Sequence, residues 1–170
     1  MTGERRTTAF TEEQRSGLRA RQIDQDRTLS AMRRLEAALA DAAPRREGPW
    51  LDTVLGALGE LEAVTAEELA NAERPDSLLS DLSRSQPRMR NRARALRLQY
   101  VKLRDTISGL RQELGGNGED VDVADVRQRL GWVLTALRHQ RARESDLIYE
   151  AYYDAFKFEL RSAEPGTGTP

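Results

Sequence analysis

Residues 89–114 read MRNRARALRLQYVKLRDTISGLRQEL, and the spacing of their apolar side chains decides the fold. Met89, Ala93, Leu96, Tyr100, Leu103, Ile107, Leu110 and Leu114 alternate steps of four and three. On an α-helix that alternation gathers the side chains into one narrow seam, the pattern by which helices pack side by side. Pro87 precedes the seam at a position suited to a helical first turn, and Gly115-Gly116-Asn117-Gly118 stops it. A helix of this kind cannot bury its seam alone, so the rest of the chain has to supply partners.

Working outward, the chain offers three. Upstream, Trp50 opens a helix with Leu51, Val54, Leu55, Leu58, Leu61, Val64 and Leu69 on one face. It ends near Glu73, because Pro75 disfavours helix in the residue before it. Between these two helices Arg74 to Gln86 is looser, with a short helical turn at Ser77 to Leu82. Further upstream, Thr11-Glu12-Glu13-Gln14 has the form of a capping box. Leu18, Ile23, Leu29, Met32, Leu35 and Leu39 then carry a helix to about Ala42, and the prolines and glycine of 43–49 form a connection. Downstream, Asp122 caps a helix running through Val126, Leu130, Val133, Leu134, Leu137, Glu144, Ile148, Ala151 and Ala155. The expected helices cover about 11–42, 50–73, 87–114 and 122–160, between tails at 1–10 and 161–170. With no strand pattern, the reading is all-α: an antiparallel, up-down-up-down four-helix bundle in one domain.

Composition narrows the function. The 170 residues are 32% charged yet carry a formal net charge of -1, so no global field favours nucleic acid or an anionic membrane. Without cysteine there is no disulfide, thiolate metal site or cysteine nucleophile, and no apolar run approaches the ~20 residues of a membrane span. The start of the chain lacks the apolar core of a secretory signal, and a cytoplasmic location is expected. There is no phosphate loop, nucleophile elbow or His-Glu metalloprotease motif. Nothing in the sequence therefore points to a hydrolase or a transferase, and a non-catalytic protein is the first expectation.

Polar residues that interrupt the apolar stripes are the informative ones. Asp26 stands three residues from both Ile23 and Leu29, and Glu68 follows Val64 by four. Tyr100 occupies a seam position, and Glu144 precedes Ile148 by four. Each helix thus turns one polar group inward near mid-height. Buried carboxylates are costly unless paired, protonated or bound to a cation. A core tyrosine and helix-edge acids are the plainer alternatives for Tyr100, Asp26 and Glu68. His139, the only histidine, falls about 140° from Glu144 on an ideal helix. It is either a surface residue or a ligand.

These residues resemble the hemerythrin-like domains, four-helix bundles whose metal-binding members hold a di-iron centre for oxygen binding, sensing or iron handling. Asp26-Arg27-Thr28-Leu29 resembles the first-helix His-Arg-x-Leu, and Glu68-Leu69-Ala70-Asn71-Ala72-Glu73 the second-helix His-Phe-x-x-Glu-Glu. Leu98-Gln99-Tyr100-Val101-Lys102-Leu103 resembles the third-helix Glu-His-x-x-Leu, and His139 to Glu150 the final His…Glu helix. Asp26, Glu68 and Tyr100 stand where the family has ligand histidines, and Ala72 where it has a bridging carboxylate. The resemblance implies a degenerate member.

Two readings follow. In the first no cofactor is bound, and Arg104 or Arg141 neutralises the carboxylates in place of metal, leaving an interaction or regulatory protein. In the second, Asp26, Glu68, Tyr100, His139 and Glu144 still hold iron or manganese for oxygen binding, sensing or oxidase chemistry. At one end of the bundle Phe10, Leu18, Tyr149, Tyr152, Tyr153, Phe156 and Phe158 are expected to gather. They either pack on one another or form the surface for a homodimer or a protein partner.

Overall fold

The computed structural model describes residues 9–116 and 120–163, and every described secondary-structure element is helical. The outer parts of the two expected tails, and the Asn117-Gly118 stop signal, lie outside the described residues. Four long helices dominate: α1 (Glu12–Ala40), α2 (Glu47–Glu73), α4 (Arg90–Gly116) and α5 (Val123–Ala151). Two short ones accompany them, α3 (Leu78–Ser85) and α6 (Tyr153–Ala163), with a 3-10 turn at Pro87–Met89.

Local chemistry sets most of the ends. At the start of α1 the Gln14 amide donates to Thr11 Oγ1 at 3.1 Å, while the Thr11 amide donates to Gln14 Oε1 at 3.0 Å. This reciprocal pair satisfies two amides that the first turn leaves free. Ser77 caps α3 through Ser80 N, and Asp122 caps α5 through Asp125 N. At the other end of α1, Arg127 donates to the carbonyls of Leu39 and Asp41, both at 2.8 Å, and its guanidinium lies over the Trp50 ring. Helix α2 begins three residues before Trp50, because Pro49 is tolerated in a first turn, where amides have no helical partner.

The last helix departs from the sequence expectation. Instead of one rod over 122–160 it divides at Tyr152, whose φ and ψ of -112° and 24° leave the helical region. Tertiary contacts hold the break. The Tyr152 hydroxyl donates to Asp81 Oδ2 of α3 at 2.6 Å, and the Gln86 side-chain amide donates to the carbonyl of Ala151. Phe10, the last residue assigned to the tail, is buried against Tyr152 and Phe156.

Neighbouring long helices touch with opposed numbering. Asp24, Arg27 and Arg34 of α1 meet Asn71, Glu67 and Glu60 of α2. Glu62 and Glu68 of α2 meet Arg111 and Tyr100 of α4. Arg92, Tyr100 and Glu113 of α4 meet Glu150, Glu144 and Arg129 of α5. Most of these pairs are surface ions worth little on their own; apolar burial holds the helices together.

That burial is divided in two. One apolar cluster contains Met32, Leu35, Val54, Leu58, Leu61, Ile107, Leu130, Val133 and Leu137. The other contains Phe10, Leu69, Leu78, Leu79, Leu82, Met89, Leu96, Leu147 and Ile148. Along each long helix the buried polar residues fall at the junction: Gln25 and Thr28, Thr65 and Glu68, Tyr100, Gln140 and Glu144. The fold therefore carries a polar layer between two hydrophobic cores.

Candidate functional site

Tyr100 is the hub of that layer. Its hydroxyl lies 2.6 Å from Glu144 Oε2 and 3.1 Å from Glu68 Oε1. On the far side of Glu68, Thr28 donates to Oε2 at 2.6 Å. On the far side of Glu144, Arg21 Nε approaches Oε1 at 3.2 Å, and Gln25 Nε2 stands at 3.5 Å from Oε2. All four long helices contribute, and Glu68 and Glu144 are only 7% and 3% exposed.

Counting protons orders this chain of contacts. A phenol has one hydrogen to donate and two lone pairs to accept with. The short contact is the donation to Glu144, whose carboxylate also faces the Arg21 guanidinium. The single hydrogen cannot serve both contacts fully, and a Glu68 that carries a proton can donate it to the phenol oxygen in the longer one. The electrostatics agree: Glu68 is pushed above the ordinary carboxyl range, mainly by burial and further by the negative charge of Glu144. The hydrogen bond from Thr28 and the charge of Arg141 pull the other way without offsetting the burial. Burial first, then the two carboxyls, also pushes the Tyr100 phenol far up, so it stays a neutral donor. Along the layer stand Glu68, which holds its proton more tightly than an ordinary carboxyl, the neutral donor Tyr100, and Glu144 beside the Arg21 guanidinium.

Three residues singled out in the sequence, Glu68, Tyr100 and Glu144, meet here. Others do not. Asp26 is exposed and accepts from Gln22 Nε2 at 2.9 Å. Its neighbours Gln25 and Thr28 face inward instead, because the stripe of α1 runs Thr28, Ala31/Met32, Leu35 and Leu39, whereas Ile23 is 54% exposed. His139 is exposed, and Gln140 takes the inward place beside it. Arg104 is exposed, near Glu62 rather than the layer. Arg141 is half-buried and donates to the Gln25 carbonyl at 2.8 Å, close to the layer but not on a carboxylate. The guanidinium that does face a buried carboxylate is Arg21, which sequence reasoning missed. Its signal was the register Arg21, Gln25, Thr28, which extends the buried stripe back by steps of three and four.

A di-iron or manganese centre does not fit these donors. Among the described residues no group of three or more His, Asp or Glu side chains is placed to hold a metal ion. The layer offers two carboxyls and a phenol; Thr28 and Tyr100 occupy Glu68, and Tyr100 and Arg21 flank Glu144. Imidazole is missing altogether, since His139 faces solvent.

Two further features surround the layer. A cavity of about 580 Å³ opens between α1, α2 and α3 and reaches Glu68, Tyr100 and Glu144 at its inner end, with Ile23, Leu78 and Leu79 along its walls. In the core nearby, Gln140 is 3% exposed, and neither its amide nitrogen nor its oxygen has a hydrogen-bond partner. At the end of the molecule beyond Tyr152 the aromatic residues form a cluster. Tyr149 packs on Tyr153 and Phe156, and Phe156 on Phe10. Tyr152 is buried, Phe156 half-buried, and Tyr149, Tyr153, Phe158 and Leu160 remain exposed. No helix among the described residues is long and apolar enough to cross a membrane.

No protein-family model matches the chain, and neither a curated protein nor a solved structure matches it.

Proposed function

We propose that the chain is a metal-free, hemerythrin-like four-helix bundle of up-down-up-down topology that acts as an interaction or regulatory protein rather than an enzyme. The observation that carries this reading is the pairing of Arg21 with Glu144 beside the hydrogen-bonded Glu68. A guanidinium beside Glu144 and a proton on Glu68 do for the charge of the two acids what metal ions would otherwise do. The opposed contacts of neighbouring long helices support the topology, and the residues quoted from each helix support the family likeness. The exposed face of Tyr149, Tyr153 and Phe158 is the surface offered to a second copy or another protein.

Purification without chelators, followed by elemental mass spectrometry, tests it. Iron, manganese and zinc are expected far below one per chain, with no change in Glu144→Ala. A full equivalent of one metal, lost in that variant, overturns the reading. Sedimentation at high concentration tests the surface: self-association that Tyr149→Ser and Tyr153→Ser abolish supports a second copy as the occupant.

A further inference from the structure

We propose that the cavity between α1, α2 and α3 is a binding site for a small aliphatic ammonium ligand, whose charged end sits at Glu144 and Glu68 and whose hydrocarbon part lies along Ile23, Leu78 and Leu79.

Size and wall chemistry point to an organic ligand. The volume of about 580 Å³ lies in the range of sites that hold small molecules, and such sites combine apolar walls with a few convergent polar groups. Ile23 is more than half exposed although it lines the cavity. Among the described lining residues Tyr100 is the only aromatic one, and it lies at the inner end, so the walls suit an aliphatic chain rather than a stacked ring.

Charge selects the sign. The described lining carries six acids against four arginines; Arg74 closes on Asp76 and Arg27 on Glu67, while Arg84 donates to the Pro75 carbonyl and Arg21 to Ser145 Oγ beside Glu144. Lining acids are less fully matched. Asp24 accepts only from the neutral amide of Asn71, and Asp81 from the neutral groups of Gln14 and Tyr152. At the inner end, Arg21 Nε lies near Glu144 Oε1 but makes no aligned hydrogen bond. That buried oxygen keeps accepting capacity for a donor arriving through the cavity. An ammonium has three donors and can bridge Glu144 and Glu68, displacing the proton of Glu68 to solvent. Its affinity should therefore strengthen as pH rises and Glu68 ionises more readily.

The test is a titration of the full chain with pentylammonium, followed by amide chemical shifts, with pentanol and hexanoate as controls. Saturable binding with a Kd of about 1 mM or tighter is expected for a ligand of this size. Shifts should centre on Ala20, Ile23, Ala72 and Leu78, with at least tenfold weaker binding of both controls. Ile23→Trp, which fills the mouth from a solvent-facing position and leaves the cores untouched, should weaken binding at least tenfold, as should Glu68→Gln. The proposal is overturned if pentylammonium fails to saturate, if pentanol or hexanoate binds equally well, or if Ile23→Trp binds as the wild type does. The metal content of the purified protein has no bearing on any of these results, so this inference and the metal-free reading fail separately.

Discussion

The Tyr100 hydroxyl lies 2.6 Å from Glu144 Oε2, the shorter of the two contacts it makes with carboxyl groups. With that hydrogen given to Glu144, a protonated Glu68 supplies the hydrogen of the longer contact. Removing the hydroxyl should leave a buried carboxylate short of a donor and a buried acid short of an acceptor. Tyr100→Phe is expected to lower stability by about 2–3 kcal/mol, from the cost of unsatisfied buried groups. Urea unfolding at neutral pH measures it; a loss below half a kcal/mol would mean that the hydroxyl is dispensable.

Arg21 and Glu144 should behave as a unit. Arg21→Met leaves a buried charge without its counter-ion and should cost about 3 kcal/mol. Glu144→Gln in the same chain removes that charge while keeping an acceptor for Tyr100, and the double variant should recover at least half of the loss. A double-mutant cycle supplies the number. Simple additivity would show that the 3.2 Å approach carries no energy.

Glu68 makes stability depend on pH in a definite direction. Its carboxyl is raised in the folded chain above the ordinary 4.5, so between that value and the raised one the native state holds the extra proton. Stability from this residue is then present in full below the unfolded value and is lost as pH rises through the folded one. Glu68→Gln mimics the protonated acid, accepting from Thr28 and donating to Tyr100, and should remove that falling limb. Urea midpoints from pH 4 to 8 compare the two proteins, and the variant should gain on the wild type as pH rises. Parallel curves would contradict the assignment.

The orphaned amide of Gln140 is a cost without a visible return. Gln140→Leu places an apolar side chain of similar length between two apolar cores and should raise stability by about 1–2 kcal/mol. A destabilised variant would mean that the amide has a partner, such as a buried water.

Why some of this was legible in the sequence, and some not, follows from how each signal is encoded. The α4 seam is a local repeat, and the inward places of Tyr100, Glu68 and Glu144 follow from helical spacing to apolar neighbours three, four or seven residues away. The sequence places Asp26 inward because Ile23 reads as a core residue, whereas Ile23 lines a cavity. Once Ile23 is set aside, Thr28, Met32 and Leu35 rotate the stripe onto Gln25 and Arg21. The break at Tyr152 has no proline or glycine to announce it. It exists because Asp81 and Gln86, more than sixty residues away, satisfy the phenol and the freed carbonyl. Arg21 was overlooked because a long cation on a helix usually faces water; only the position of α5 turns it toward Glu144.

Carboxyl ¹³C NMR of the glutamate side chains, followed against pH in the full chain, tests the central assignment most directly. The account predicts that Glu68 keeps the chemical shift of a protonated acid through the range in which surface glutamates ionise, and titrates above 4.5. It also predicts that Tyr100→Phe alters that titration. A Glu68 resonance that moves together with the surface glutamates, at or below 4.5, would contradict the proton order of the layer and with it the arrangement on which the metal-free reading rests.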